Sequence, residues 1–154
     1  MIEVSKGSRK DIPRCLAIAG SLPEYFTPKA LQAMKRDLSE SPFFVAKDRH
    51  GKVLGFASVE SKTRHASELL WLAVARPGHR EGIGTSLVNT ACSTLKADGR
   101  KFLLARTLSD RSHYAPYQAT RRFLKKVGFK HIDTLDPCPG WDPGNPCDVY
   151  ISIL

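Results

Sequence analysis

The chain has 154 residues, 42% of them apolar and 25% charged, which suits one soluble globular domain spanning 1–154. No run approaches about 18 apolar residues, which excludes a membrane-spanning helix; the polar start MIEVSKGSRKDIPR lacks a signal peptide's apolar stretch, so the expected compartment is the cytoplasm. The net charge of +9 is concentrated in residues 96–130, where ten Lys/Arg face only Asp98 and Asp110, a field that attracts nucleic acid, acidic partners or a phosphorylated cofactor.

Residues 1–5 read as a short strand. Asp11 is placed to cap a helix with Pro13 in its first turn and Ile12, Leu16 and Ala19 on one face. Thr27-Pro28 opens a second helix with Leu31, Met34 and Leu38 at helical spacing. Residues 43–46 and 53–60 flank the turn signal Asp48-Arg49-His50-Gly51 and are predicted to pair as a hairpin. The unbroken apolar run 68–74 predicts a central strand covered on both faces. A helix follows with Leu87, Val88, Ala91 and Leu95 inward, stopped by Gly99, and then a strand over 101–107. A helix over 116–127, with Ala119, Phe123 and Val127 on one stripe, ends at Gly128. Strands at 129–135 and 148–154 enclose a Pro/Gly-rich loop, 137–146. The pattern is mixed α/β (α+β) around a single sheet.

The four cysteines, at 15, 92, 138 and 147, form no CxxC, and no histidine stands at ligand spacing to a Cys pair, so no metal is expected. Reduced, packed thiols are the expectation in that compartment, with Cys138 and Cys147 closing around their loop only on oxidation.

The informative unit is strand, glycine-punctuated loop and helix over 68–97. Gly82 and Gly84 stand where the helix begins. N–H groups without helical acceptors and the positive end of the helix dipole meet there, an arrangement that binds phosphate oxygens. A P-loop is excluded because no Lys follows either glycine, and GxGxxG fails because Leu87 stands at its last position.

Val74 followed eight residues later by Gly-Ile-Gly resembles the acetyl-CoA signature of the GNAT superfamily of acyl-CoA N-acyltransferases. Thr107-Leu108-Ser109, the stretch Tyr114 to Phe123, and Val127-Gly128-Phe129 are similar to a second block of a bacterial subgroup. Gly144-Asn145-Pro146-Cys147 is similar to its C-terminal segment. The likeness covers residues 53–154. It implies a central, mixed, mostly antiparallel sheet flanked by helices, with acetyl-CoA as acyl donor and a small-molecule or peptide amine as acceptor. Pyrophosphate would sit on His79, Arg80, Glu81, Gly82, Ile83, Gly84 and Thr85, and pantetheine along Leu72 and Val74. The Val74 N–H would polarise the thioester carbonyl.

The same resemblance makes Glu68, counted to the parity of Leu70, Leu72 and Val74, the expected general base, with Glu60 behind it. The family often carries a tyrosine acid four residues before the Gly of the GlyPhe pair; here that position is Leu124, which leaves Tyr114 or Tyr117 as substitutes. Trp71 is expected to pack, Trp141 to wall the acceptor site, and Asp136 and Asp142 to attract a cationic amine. Two other functions stay open: an acyl-CoA-binding or regulatory domain without turnover, and an RNA-linked acceptor such as aminoacyl-tRNA. Nucleic-acid binding is disfavoured because the basic residues lack interleaved aromatic platforms. A homodimer through the C-terminal edge strands is expected.

Overall fold

The computed structural model describes residues 1–79 and 81–154. Its elements in chain order are β1 (Glu3–Lys6), α1 (Ile12–Gly20), α2 (Pro28–Glu40), β2 (Phe43–Lys47), β3 (Val53–Ser61), β4 (Ala66–Val74), α3 (Ile83–Ala97), β5 (Phe102–Leu108), α4 (Tyr117–Lys126), β6 (Lys130–Leu135) and β7 (Cys147–Ile153). Among the described residues the strands form one sheet in the order β1-β2-β3-β4-β5-β7-β6. All neighbours pair antiparallel except β4 and β5, which run parallel because α3 carries the chain across between them. This is the mixed, mostly antiparallel sheet expected.

β4 is apolar from Leu69 to Val74 because helices cover both of its faces. Leu69 packs with Ile83, Leu87, Val88, Ala91 and Leu95 of α3, while Ala73 packs with Cys15, Ile18 and Ala19 of α1 and Met34 and Leu38 of α2. No described helix is long and apolar enough to cross a membrane. No group of three or more His, Cys, Asp or Glu side chains among the described residues is arranged to hold a metal ion.

The local chemistry meets several expectations and corrects others. The Thr27 hydroxyl caps α2 by accepting from the Ala30 N–H at 3.1 Å. Asp11 does not cap α1 through its side chain. That carboxylate turns back to accept from the Ser8 N–H at 2.9 Å and to pair with Lys47 at 3.3 Å. Burial pushes its pKa up, but the Ser8 and Lys47 contacts outweigh burial and hold it below the ordinary value. In α1 the buried stripe is Cys15, Ile18 and Ala19, with Ile12 and Leu16 half-buried. In α4 Leu124 is the buried residue and Ala119 is exposed, because the Ala119 and Phe123 side of that helix faces a cleft.

Cys138 and Cys147 are joined in a disulfide, with Cα atoms 5.5 Å apart. This corrects the expectation of four reduced thiols. β6 and β7 are adjacent, and their last pair, Leu135 with Cys147, brings both ends of the loop together. Cys15 and Cys92 remain free thiols.

Candidate active site

The feature that makes a site is a fork in the sheet. β4 and β5 pair only over Ala66–Leu69 with Phe102–Ala105, and beyond that point they separate. Main-chain groups of β4 that would bond β5 are therefore left facing the gap. The Ala75 N–H donates to Leu54 O at 2.8 Å on the β3 side. By strand alternation the N–H and C=O of Leu72 and Val74 point the other way, into the fork. His79 confirms that direction, since its Nε2–H donates to Val74 O at 2.5 Å.

α3 begins at the open end of the fork. Gly82 occupies the left-handed region at φ 79°, which favours glycine, and the first helical bond closes only at the Ser86 N–H on Gly82 O. The first-turn N–H groups at Ile83, Gly84 and Thr85 thus point out of the helix end. Gly84 is needed for a close approach: a Cβ there would stand 3.2 Å from Phe123 Cε1 and 3.3 Å from its Cζ. α4 consequently lies against the start of α3, and its Arg122 and Lys126 line the same space.

The cleft so formed has a volume of about 1690 Å³ and brings together residues far apart in sequence. Of the residues the sequence nominated, Glu68, Tyr114, Tyr117, Leu72, Val74, His79, Gly82, Ile83, Gly84 and Thr85 line it. Glu81 is exposed and does not, and Arg80 lies outside the described residues. Asp136 is exposed and outside the cleft, whereas Asp142 lines it and pairs with Lys29 at 2.9 Å.

Glu68 stands on a different face from the one its parity suggested. Ser58 pairs with Trp71 and Val59 with Leu69, so Leu70 is a one-residue bulge without a partner. An extra residue reverses the alternation. Leu69, Leu72 and Val74 therefore pack on the α3 side, while Trp71 and Ala73 pack on the α1–α2 side. Glu68, next to Leu69 and paired with Glu60, faces the α1–α2 side. There its Oε2 accepts from Arg106 Nε at 3.1 Å and its Oε1 is 3.6 Å from Lys62 Nζ. Lys62 also meets Glu60 at 3.3 Å. Glu68 is only 6% exposed, whereas Lys62 and Glu60 reach solvent, so the cluster is a charge-balanced floor to that half of the cleft with Glu68 at its buried end.

The two tyrosines have defined tasks. Tyr117 Oη donates to Tyr25 O at 2.6 Å and Tyr114 Oη donates to Glu24 O at 2.7 Å. Tyr25 Oη returns a bond to Pro116 O at 3.1 Å. These bonds staple the segment between α1 and α2 to the start of α4 across the cleft. Burial first, then the neighbouring Tyr114 and Tyr25, pushes the Tyr117 pKa up to about 12. Both protons are committed to main-chain carbonyls, and Leu124 is buried in the core and has no proton to give.

Sequence reasoning missed Arg106, Tyr25, Phe26 and the cleft-facing position of Trp71. Arg106 carried a usable signal, a charged residue directly after the apolar run Phe102–Ala105 of its strand. Trp71 Nε1 donates to Asp37 Oδ2 at 2.8 Å and the ring meets Phe26 edge-on, with centroids 6.2 Å apart. Trp141, as expected, walls the cleft, with the Arg106 guanidinium 5.9 Å from its ring centre.

A parallel pair that forks beside a glycine-lined helix start, with basic residues on the adjoining helix, is an arrangement that can hold an extended, phosphate-bearing molecule along exposed main chain. Residues 39–131 match the family model for the acetyltransferase (GNAT) domain, and the chain belongs to that family. Its structure is similar to a GNAT-family protein from Desulfovibrio desulfuricans, with a TM-score of 0.86 at 20% identity over 99% of both chains. It is also similar to Ard1 from Thermoplasma volcanium, with a TM-score of 0.78 at 25% identity over 99% of this chain and 97% of that one. A GNAT family acetyltransferase from Elizabethkingia anophelis, solved with acetyl-CoA bound, gives a TM-score of 0.76 at 17% identity over 99% and 98% of the two chains. No curated protein sequence matches the chain.

Proposed function

We propose that this chain is an acetyl-CoA-dependent N-acetyltransferase acting by direct transfer to a primary amine. The observation that carries the reading is the fork, where main chain of Leu72 and Val74 without a β5 partner meets the start of α3. The residues present suit acetyl-CoA. Main-chain groups of Leu72 and Val74 would hold the amides of its pantetheine arm, and the first-turn N–H groups of α3, with Arg122 and Lys126, would hold its phosphates. When bound it supplies an acyl thioester. The Val74 N–H then acts as the donor that polarises the acyl carbonyl. Glu68 takes the amine's proton, directly or through one water, and Arg106 and Lys62 fix its carboxylate in place.

A second reading, an acyl-CoA-binding domain without turnover, is favoured by one observation: no tyrosine hydroxyl among Tyr25, Tyr114 and Tyr117 has a free proton for a departing thiolate. Amine-dependent thiol release from acetyl-CoA separates the two. The enzyme reading expects turnover with at least one primary amine, and a kcat about 10²–10⁴-fold lower in Glu68→Gln. A kcat that changes less than threefold at neutral pH removes Glu68 as base. Binding of CoA with no release across the amine panel removes turnover.

A further inference from the structure

We infer that the acceptor is a free α-amino acid with an apolar side chain, its ammonium held at Glu68 and its carboxylate at Arg106. The inference rests on the acetyltransferase reading and concerns the half of the cleft on the α1–α2 side.

Arg106 follows Ala105, the last β5 residue paired with β4, so its side chain stands at the point where the fork opens. Leu103 and Ala105 are buried against the α3 side, and alternation turns Arg106 to the opposite face, beside Glu68. Its Nε is bonded to Glu68 and its Nη1 to Pro139 O at 3.0 Å. Among the described residues nothing accepts from Nη2. A guanidinium in a cleft wall with N–H groups to spare is a receptor for a carboxylate.

Charge balance selects the rest of the ligand. Glu60, Glu68, Lys62 and Arg106 form a cluster with two charges of each sign. A bare ammonium entering it would compete with Arg106 for Glu68 and leave an excess of positive charge beside that buried carboxylate. A zwitterion offers an ammonium to the carboxylates and a carboxylate to the guanidinium, and the cluster stays neutral. A lysine side chain or a peptide N-terminus has no carboxylate beside the amine and leaves Nη2 unmet. Phe26, Trp71 and Trp141 supply apolar walls around this cluster for the amino acid's side chain.

The test is calorimetric titration of the CoA-saturated protein with two matched pairs: leucine against isoamylamine, and phenylalanine against phenethylamine. The inference expects at least one amino acid to bind about tenfold or more tightly than its amine, a gain typical of one charge-assisted contact. It expects that preference to collapse toward unity in Arg106→Gln and to survive in part in Arg106→Lys. CoA titration of each variant shows that it is folded. Equal or tighter binding of both amines, CoA binding with no amino acid binding, or a preference that survives Arg106→Gln overturns the inference and leaves the acetyltransferase reading standing. Failure of the wild-type protein to bind CoA overturns that reading and this one together.

Discussion

Breaking the Cys138–Cys147 disulfide should loosen the acceptor side of the cleft and spare the cofactor side. The bridge spans nine positions and closes a loop that presents Pro139, Trp141, Asp142 and Asn145 to the cleft. Through Pro139 O and Cys138 Sγ, at 3.0 and 3.6 Å, the loop also holds Arg106. For a closed loop of about ten residues, chain entropy assigns the bridge about 2.7 kcal/mol. At about 2–4 °C per kcal/mol for a chain this long, full reduction should lower Tm by about 5–11 °C. The assay is thermal unfolding of oxidised protein against protein refolded in a phosphine reductant, with thiols titrated in denaturant beforehand. Oxidised protein should show two reactive thiols, Cys15 and Cys92. In the reduced form KM for the amine should rise while CoA affinity holds, because among the described residues the bridge and Pro139 bond Arg106 and not Leu72, Val74 or the start of α3. Four reactive thiols before reduction, or the same Tm in both states, would refute the reasoning.

Gly84→Val should weaken CoA binding about tenfold or more, since even a Cβ stands 3.2 Å from Phe123 and 3.9 Å from Val74 Cγ2 at the phosphate end of the cleft; affinity within twofold of wild type would count against that end. Tyr117 should ionise with a pKa of about 12, read from the loss of tyrosinate absorbance in Tyr117→Phe. Its folded value lies above the ordinary 10.0, so the stabilisation is fully present below that pH and is lost as pH rises toward 12. Tyr117→Phe should flatten this alkaline loss while lowering stability at neutral pH, where the bond to Tyr25 O is gone.

What the sequence made legible was set by local chemistry. The β4 apolar run, the Thr27 cap, the turn at 48–51 and the inward stripe of α3 each rest on periodicity or on a single residue's preference, and all stand in the structure. The glycines at 82 and 84 were readable for the same reason, one being left-handed and the other closely approached. Features set by pairing between distant segments were not. The Leu70 bulge is visible only in the register of β4 against β3, and it moved Glu68 to the other face. Asp11 was drawn off its helix by Ser8 and by Lys47 of another strand. Leu124 displaced Ala119 from the core because α4 turns its Ala119–Phe123 side to the cleft. Arg106 acquires its role only where β5 leaves β4, beside a loop held by a disulfide.

The central claim is that the fork and the start of α3 hold acetyl-CoA, and thermal unfolding with acetyl-CoA, CoA or ATP tests it most directly. Ligand at about 100 times Kd stabilises the native state by about 2.7 kcal/mol. For a chain this long that is about 5–11 °C in Tm. The account predicts that rise for acetyl-CoA and for CoA, and none for ATP at the same concentration. No rise with either CoA species would contradict it, and the loop before α3 would then be only a turn.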